Sequence, residues 1–258
     1  MGMPKFYELF YNERIFTFTD FKNKLGDKYS EQYLRKKIAG FIKSKYIAAV
    51  KPGLYYIIPQ GQNITEYVVD KFGIASKLTG KSVIKYHSAL ELHGAAYSNY
   101  NTVYVSGSSP FHSFEFQGIQ YQFVRSDIEF GIETVLRDGK KISVTDRERT
   151  LIDGIQYLKY SGGIEEYFKS IEMFPEINPK RILRYLQLGG TKTLFNKAGF
   201  VLSYYSDKWN IPGSIIDELK KNLTNKIYYL SAKKEKSKLD NRWNLMVPLR
   251  LRNLTGEQ

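Results

Sequence analysis

Gln32, Lys36 and Lys43 fall on one side of a helical projection of residues 30–45, at about 100° per residue, with Tyr33 and Arg35 flanking them. Their amide, ammonium and guanidinium groups are donors of the kind that meet phosphate oxygens and base edges. By position, Gln32 and Tyr33 would meet base edges, Arg35 and Lys36 would suit either role, and Lys43, Lys45 and Lys51 would meet phosphates. Thr17 and Thr19, at the start of a preceding helix, would add hydroxyl contacts to phosphate. A basic, exposed face is ordinarily a solvated surface and nothing more. Two features weigh against that reading: in residues 1–60 eleven Lys or Arg oppose five Asp or Glu, a net of +6, and the cations keep off the apolar stripe.

Other chemistry is poorly supported. His87 and His93 are six residues apart, so on a helix they would point about 240° from each other and share no metal. With His112 they are expected to be structural or capping residues, and neither metal nor cofactor is expected. Gly107-Ser108 followed by Asp127-Ile128-Glu129 has the residue types of a nucleotidyltransferase site, in which paired carboxylates hold Mg²⁺. Such a site needs a helix after Gly-Ser, whereas Pro110 and an alternating, strand-like segment intervene. Gly107 to Pro110 therefore reads as a loop and the two acids as surface groups, so no enzyme is expected. The chain has no Cys, which removes disulfides, a thiolate nucleophile and Cys-ligated zinc.

The elements that must position the donors are legible. Ser30 is an N-cap, and Leu34, Ile38, Phe41 and Ile42 form the apolar stripe of the helix it opens. Two β-like runs follow, residues 46–50 and 54–58, split by the turn formers of Lys51-Pro52-Gly53. Upstream, residues 6–11 and 18–25 are shorter apolar-periodic segments, with Thr17 and Thr19 as possible caps at the start of the second. Three helices and a basic hairpin make a winged helix-turn-helix over residues 1–60. Winged helices also dock proteins, which is the rival reading.

At 258 residues and 42% hydrophobic, the chain is long enough for two domains and can bury a core. Of the formal +13, +7 lies outside residues 1–60 and is spread thinly, so it carries no weight there. The N-terminus lacks an apolar signal core and no run approaches the roughly 18 apolar residues of a membrane span, so a cytoplasmic protein away from membranes is expected. Pro59 to Thr65 is the expected boundary. Residues 61–258 read as one mixed sheet-and-helix domain, opening on a helix over 66–79, then a helix in YHSALELHG ended by Gly94. Strands are expected at 101–106 and on either side of Gly118, and a short one at 142–144. In TDRERTLIDGI, Thr145 and Glu148 have capping-box spacing, while Arg149 and Asp153, four apart, are either a surface bridge or a buried clamp. Helices dominate after Gly163, and two β-like runs, 226–230 and 241–248, close the chain. The expected class is α+β.

Four stretches carry a family resemblance: the helix and wing ending in KPGLYYIIP, HSALELHG at 87–94, VTDRERTLID at 144–153, and LDNRWNLMVP at 239–248. Together they resemble the AbiEi family of antitoxins and transcriptional regulators from type IV toxin-antitoxin systems. The resemblance spans nearly the whole chain, with Ser88, Glu148, Arg149, Thr150 and Asp153 as the antitoxin-domain signature residues. It implies a repressor that binds inverted repeats of double-stranded DNA in its own promoter. It also implies an antitoxin domain that counters a nucleotidyltransferase-like toxin in abortive infection by phage, without requiring a stable complex with that toxin.

Overall fold

The computed structural model describes residues 9–26, 28–126, 130–231 and 235–254. The chain packs as two compact units: unit 1 comprises Met1–Val83, Asn101–Arg125 and Leu136–Ile142, and unit 2 comprises Ile84–Tyr100, Ser126–Val135 and Ser143–Gln258. The boundary expected at residue 60 thus lies inside unit 1. Side-chain amide bonds explain why: Gln117 accepts from the Val69 amide at 3.0 Å and donates to the Tyr67 carbonyl at 2.8 Å. Tyr56 also packs on Tyr67 and Phe116. The Pro- and Gly-containing segment after residue 58 is a turn within the packing rather than its end.

Unit 1 begins with β1 (Ile15–Thr17), α1 (Phe18–Leu25), α2 (Glu31–Lys43), β2 (Ile47–Lys51) and β3 (Leu54–Ile57). The three strands form an antiparallel sheet in the order β1-β3-β2, with Ile15 opposite Tyr56 and Ile47 opposite Ile57. The register shifts between Ala49 and Lys51, a bulge at the end of the hairpin. Gly53, at φ +84, supplies the left-handed turn residue between β2 and β3. Phe10, Phe16, Phe21, Leu34, Ile38, Ile47 and Ile57 make the core beneath these elements. Of the expected helix over 6–11, residues 1–8 lie outside the described residues; Leu9 and Phe10 are helical, and Phe10 is buried.

Farther on, the helix expected over 66–79 contracts to α3 (Lys71–Ala75), whose N-cap Asp70 accepts from the Gly73 amide at 2.7 Å. Val68, inside the span expected to be helical, is 79% exposed. β5 (Thr102–Ser106) pairs parallel with β7 (Ile119–Phe123), and β6 (Phe114–Phe116) joins β7 through Gln117 and Gly118, both at positive φ. That hairpin is the one expected around Gly118.

β4 (Val83–Ile84), β8 (Ile132–Arg137) and β9 (Lys140–Thr145) follow, and within unit 2 Ile84 lies parallel to Val144. β8 was not expected, although the Asp138-Gly139 pair after it, at φ 49 and 74, is a hairpin signal. Unit 2 contains α4 (His87–Leu92), α5 (Arg147–Gln156), α6 (Ile164–Glu172), α7 (Pro179–Gly189), α8 (Lys192–Tyr204) and α9 (Gly213–Lys220). A small sheet of β10 (Tyr228–Tyr229), β12 (Leu245–Pro248) and β11 (Ser237–Asp240), in that order, precedes α10 (Leu249–Leu254). Ten helices and several sheets among the described residues make a mixed α+β fold.

The core of unit 2 closes on Trp243, which is 1% exposed. Its carbonyl accepts from Asn196 Nδ2 at 2.8 Å and its indole N–H donates to Ser203 Oγ at 3.1 Å, both on α8. Gly199 lies between these two, and a Cβ built there would collide with the indole ring. Gly199→Ala is therefore expected to lower the stability of unit 2 by about 1–3 kcal/mol through overpacking, read as a shift in the urea midpoint.

Candidate nucleic-acid interface

Side-chain caps open both N-terminal helices, α1 and α2. Thr17 caps α1 reciprocally with Asp20: its hydroxyl accepts from the Asp20 amide at 3.0 Å, and its own amide donates to Asp20 Oδ2 at 2.9 Å. Thr19 is exposed one residue into α1. Ser30 caps α2 as expected, accepting from the Tyr33 amide at 3.3 Å. Leu34 and Ile38 are buried and Phe41 half-buried, but Ile42 is 39% exposed and does not belong to the stripe. The buried arc is narrower than the spacing suggested because Leu34, Ile38 and Phe41 already span the surface that faces the core.

Opposite that arc, Gln32, Lys36, Ala39, Gly40 and Lys43 recur at i, i+4, i+7, i+8 and i+11, and all are exposed. Ala39 and Gly40 give the middle of the face low relief, and around Gly40 there is open space. A glycine in mid-helix costs roughly 0.5–1 kcal/mol relative to alanine, and here no packing contact explains it. The two small residues were not singled out in the sequence, although their spacing from Gln32 and Lys36 could have identified them.

Two expected contacts are engaged within the protein. Arg35 bonds to Glu31 Oε1 through Nη2 at 2.7 Å and Nε at 3.0 Å, and stacks over Phe18 at 4.4 Å. That hydrogen bond holds the Glu31 carboxyl below its usual range. Lys51 lies 5.0 Å from each of the Phe111 and Phe114 rings, and burial pushes its ammonium pKa down. It is a half-buried, aromatic-packed cation rather than a free one. Tyr29 and Tyr33 stack at 5.0 Å and 15°, with Lys37 over Tyr33 at 5.5 Å. Tyr29 and Lys37 went unnoticed in the sequence because neither lies on the Gln32 face. Lys36, Lys43 and Lys45 are exposed, the last at φ +56 where the chain leaves α2.

In unit 2, the signature residues are buried. Arg149 Nε donates to Asp153 Oδ1 at 2.7 Å, and Lys85 Nζ lies 2.8 Å from Asp153 Oδ2, so the pair is a buried clamp and not a surface bridge. The Arg149 guanidinium covers the Phe130 ring at 4.6 Å. The capping box expected at Thr145 and Glu148 does not form. Asp146 caps α5, accepting from the Arg149 amide at 2.7 Å, and leaves Thr145 to bond Thr150 at 2.8 Å. Glu148 accepts instead from the Asn178 amide at 2.7 Å and from Arg181 at 3.1 Å, anchoring the start of α7. Ser88 is fully buried in α4.

Two of the histidines are held within the fold: His87 sits between Glu166 at 3.0 Å and Glu91 at 3.4 Å against the Tyr100 ring, and His93 bonds the Thr145 carbonyl at 2.7 Å, whereas His112 is exposed. Gly107 and Ser108 form a loop, with Ser108 donating to the Gly80 carbonyl at 2.8 Å. Asp127 and Glu129 lie outside the described residues. Among the described residues no helix is long and apolar enough to cross a membrane.

No protein-family model matches the chain, and no curated protein matches it in sequence. Among solved structures it is similar to the RV2827C protein from Mycobacterium tuberculosis, at a TM-score of 0.61 and 11% identity over 99% of this chain and 96% of that one. At that identity the likeness concerns the fold alone.

Proposed function

We propose that the N-terminal elements are a winged helix-turn-helix, with α2 as recognition helix and the β2–β3 hairpin as wing, and that the protein is a DNA-binding repressor of its own promoter. The observation that supports this is the low-relief face of α2, where Gln32, Ala39 and Gly40 lie between exposed lysines. Gln32 and Tyr33 read bases in the major groove, and Lys36, Lys43 and Lys45 hold phosphates. Thr17 spends its hydroxyl acceptor on the cap, so only its O–H is left for phosphate. Arg35 and Lys51 become minor contributors, because one is held by Glu31 and the other by two phenylalanines.

The resemblance to AbiEi proteins extends the reading to an antitoxin that counters a nucleotidyltransferase-like toxin. Within it Ser88, Glu148, Arg149, Thr150 and Asp153 hold unit 2 together, since residues this buried cannot meet a partner. A second reading, in which α2 docks a protein, is favoured by the exposed Tyr29 and Tyr33 pair, a common feature of interface cores.

Fluorescence anisotropy against the upstream DNA and a scrambled duplex, across a salt series, separates the two. Operator binding that persists at physiological salt supports the repressor. Equal, steeply salt-sensitive binding to both duplexes supports docking. The Lys36→Ala, Lys43→Ala double variant is expected to weaken all DNA and flatten the log–log salt slope by about two. Gln32→Ala is expected to narrow the gap between operator and scrambled duplex by about 1–3 kcal/mol while leaving the slope unchanged.

A further inference from the structure

Unit 1 holds a cleft of about 460 Å³ walled by Lys77, Lys140 and Lys141 with Asn12, Asn23 and Ser76. The acids on its wall are engaged: Glu13 pairs with Lys24, and Asp20 takes the Thr17 amide and Lys77. Lys140 differs from its neighbours. It is half-buried, and among the described residues no carboxylate lies within ion-pair distance of its ammonium; Asp70 and Asp138 act on it only from farther away. Gly73 leaves space at this point, since a Cβ there would stand 2.8 Å from Ile15 Cδ1, 3.2 Å from Asp70 Oδ2 and 3.5 Å from Lys140 Nζ. A second hollow, of about 680 Å³, shares Asn12, Ile15, Gly139 and Lys140 with the first. Its wall carries Tyr11, Tyr67 and the buried Tyr56, on which Tyr67 stacks at 6.0 Å, together with Arg14, Asp70 and Asp138.

We propose that these adjoining hollows bind a nucleoside monophosphate, with its phosphate on Lys140 and Lys141, beside the Asp20-paired Lys77, and its base toward the tyrosines. A half-buried cation with no partner carries a desolvation cost that a dianion offsets, and asparagine and serine side chains supply donors for the remaining phosphate oxygens. The aromatic wall gives a flat ring an apolar surface to lie against. Inorganic phosphate would fill only the first hollow. The assignment does not rest on the DNA reading, because none of these groups belongs to the exposed face of α2.

The test is calorimetric titration of the full chain with AMP, GMP, CMP and UMP, and separately with adenosine and inorganic phosphate. At least one mononucleotide should bind about tenfold more tightly than either fragment, and Lys140→Met should weaken it about tenfold. The melting temperature of the variant checks its fold. If Lys140→Met does not fold, Lys141→Met at its exposed position serves, with a loss of about threefold expected. Absence of mononucleotide binding at millimolar concentration overturns the proposal. So does equal affinity for inorganic phosphate, or unchanged affinity in the folded variant.

Discussion

Gly40→Glu is expected to weaken operator binding about 100-fold at physiological salt while leaving the protein folded and slightly more stable. The space around Gly40 is open, so the new side chain displaces nothing. Glutamate is also the better helix former, and stability should rise by about 0.5 kcal/mol. Its carboxylate falls four residues after Lys36 and three before Lys43, within reach of both ammoniums, and it faces the phosphates they would otherwise hold. Diverting two phosphate contacts at about tenfold each gives a loss of roughly 100-fold, with a flatter salt slope. Gly40→Lys separates charge from bulk: if bulk alone matters it too will bind poorly, and if charge matters its non-specific affinity will rise. Anisotropy titrations beside thermal melts read all of this. Undiminished affinity in Gly40→Glu would remove α2 from the DNA and leave the docking reading standing.

The second large effect is on stability. Asp153→Ala is expected to cost unit 2 about 3–5 kcal/mol, because it leaves Lys85 and Arg149 buried without their shared counter-charge. The side chains of Lys85, Arg149 and Asp153 are 4%, 6% and 3% exposed, so water cannot replace the carboxylate. Lys85→Met should cost less, since Arg149 still satisfies Asp153 and the methionine fills the same space. Both tryptophans, Trp209 and Trp243, are buried in unit 2, so their fluorescence in urea reports this unit.

A pH dependence accompanies the substitution. Burial pushes the Lys85 pKa below its ordinary 10.5, while Asp153 pulls it back up and Arg149 pushes it down. A base whose folded pKa is depressed costs stability below that pKa and recovers it as pH rises toward 10.5. Without Asp153 the depression deepens, so the variant should begin to regain stability at lower pH than the native protein. A cost under about 1 kcal/mol, with no such rise, would mean that the clamp is hydrated.

Much of the fold was legible in the sequence where its signals are local. α1 was read at its observed bounds, Ser30 does cap α2, and Gly53 and Gly118 turn the two hairpins. Caps, turns and helical spacing act between residues four or fewer apart, so the sequence alone exposes them. β1 was missed because three residues show no periodicity, and the helix over 66–79 was overread because Val68 mimics a stripe it does not join. The capping box failed for a tertiary reason: Glu148 is drawn to the start of α7, and Asp146 takes the cap instead.

By itself, then, the sequence determined the α+β class, the run of helix, helix and hairpin near the N-terminus, and the side of α2 on which Gln32, Lys36 and Lys43 stand. Only the tertiary structure decided which cations stand clear of counter-charges and packing. Phe111 and Phe114 cover Lys51, Lys85 is neutralised by Asp153 from far along the chain, and the half-buried Lys140 has Asp70 and Asp138 near it but beyond ion-pair distance. The physical reason is that a side chain's helical face follows from its spacing, whereas its burial and its counter-ions come from residues distant in sequence that folding brings alongside it.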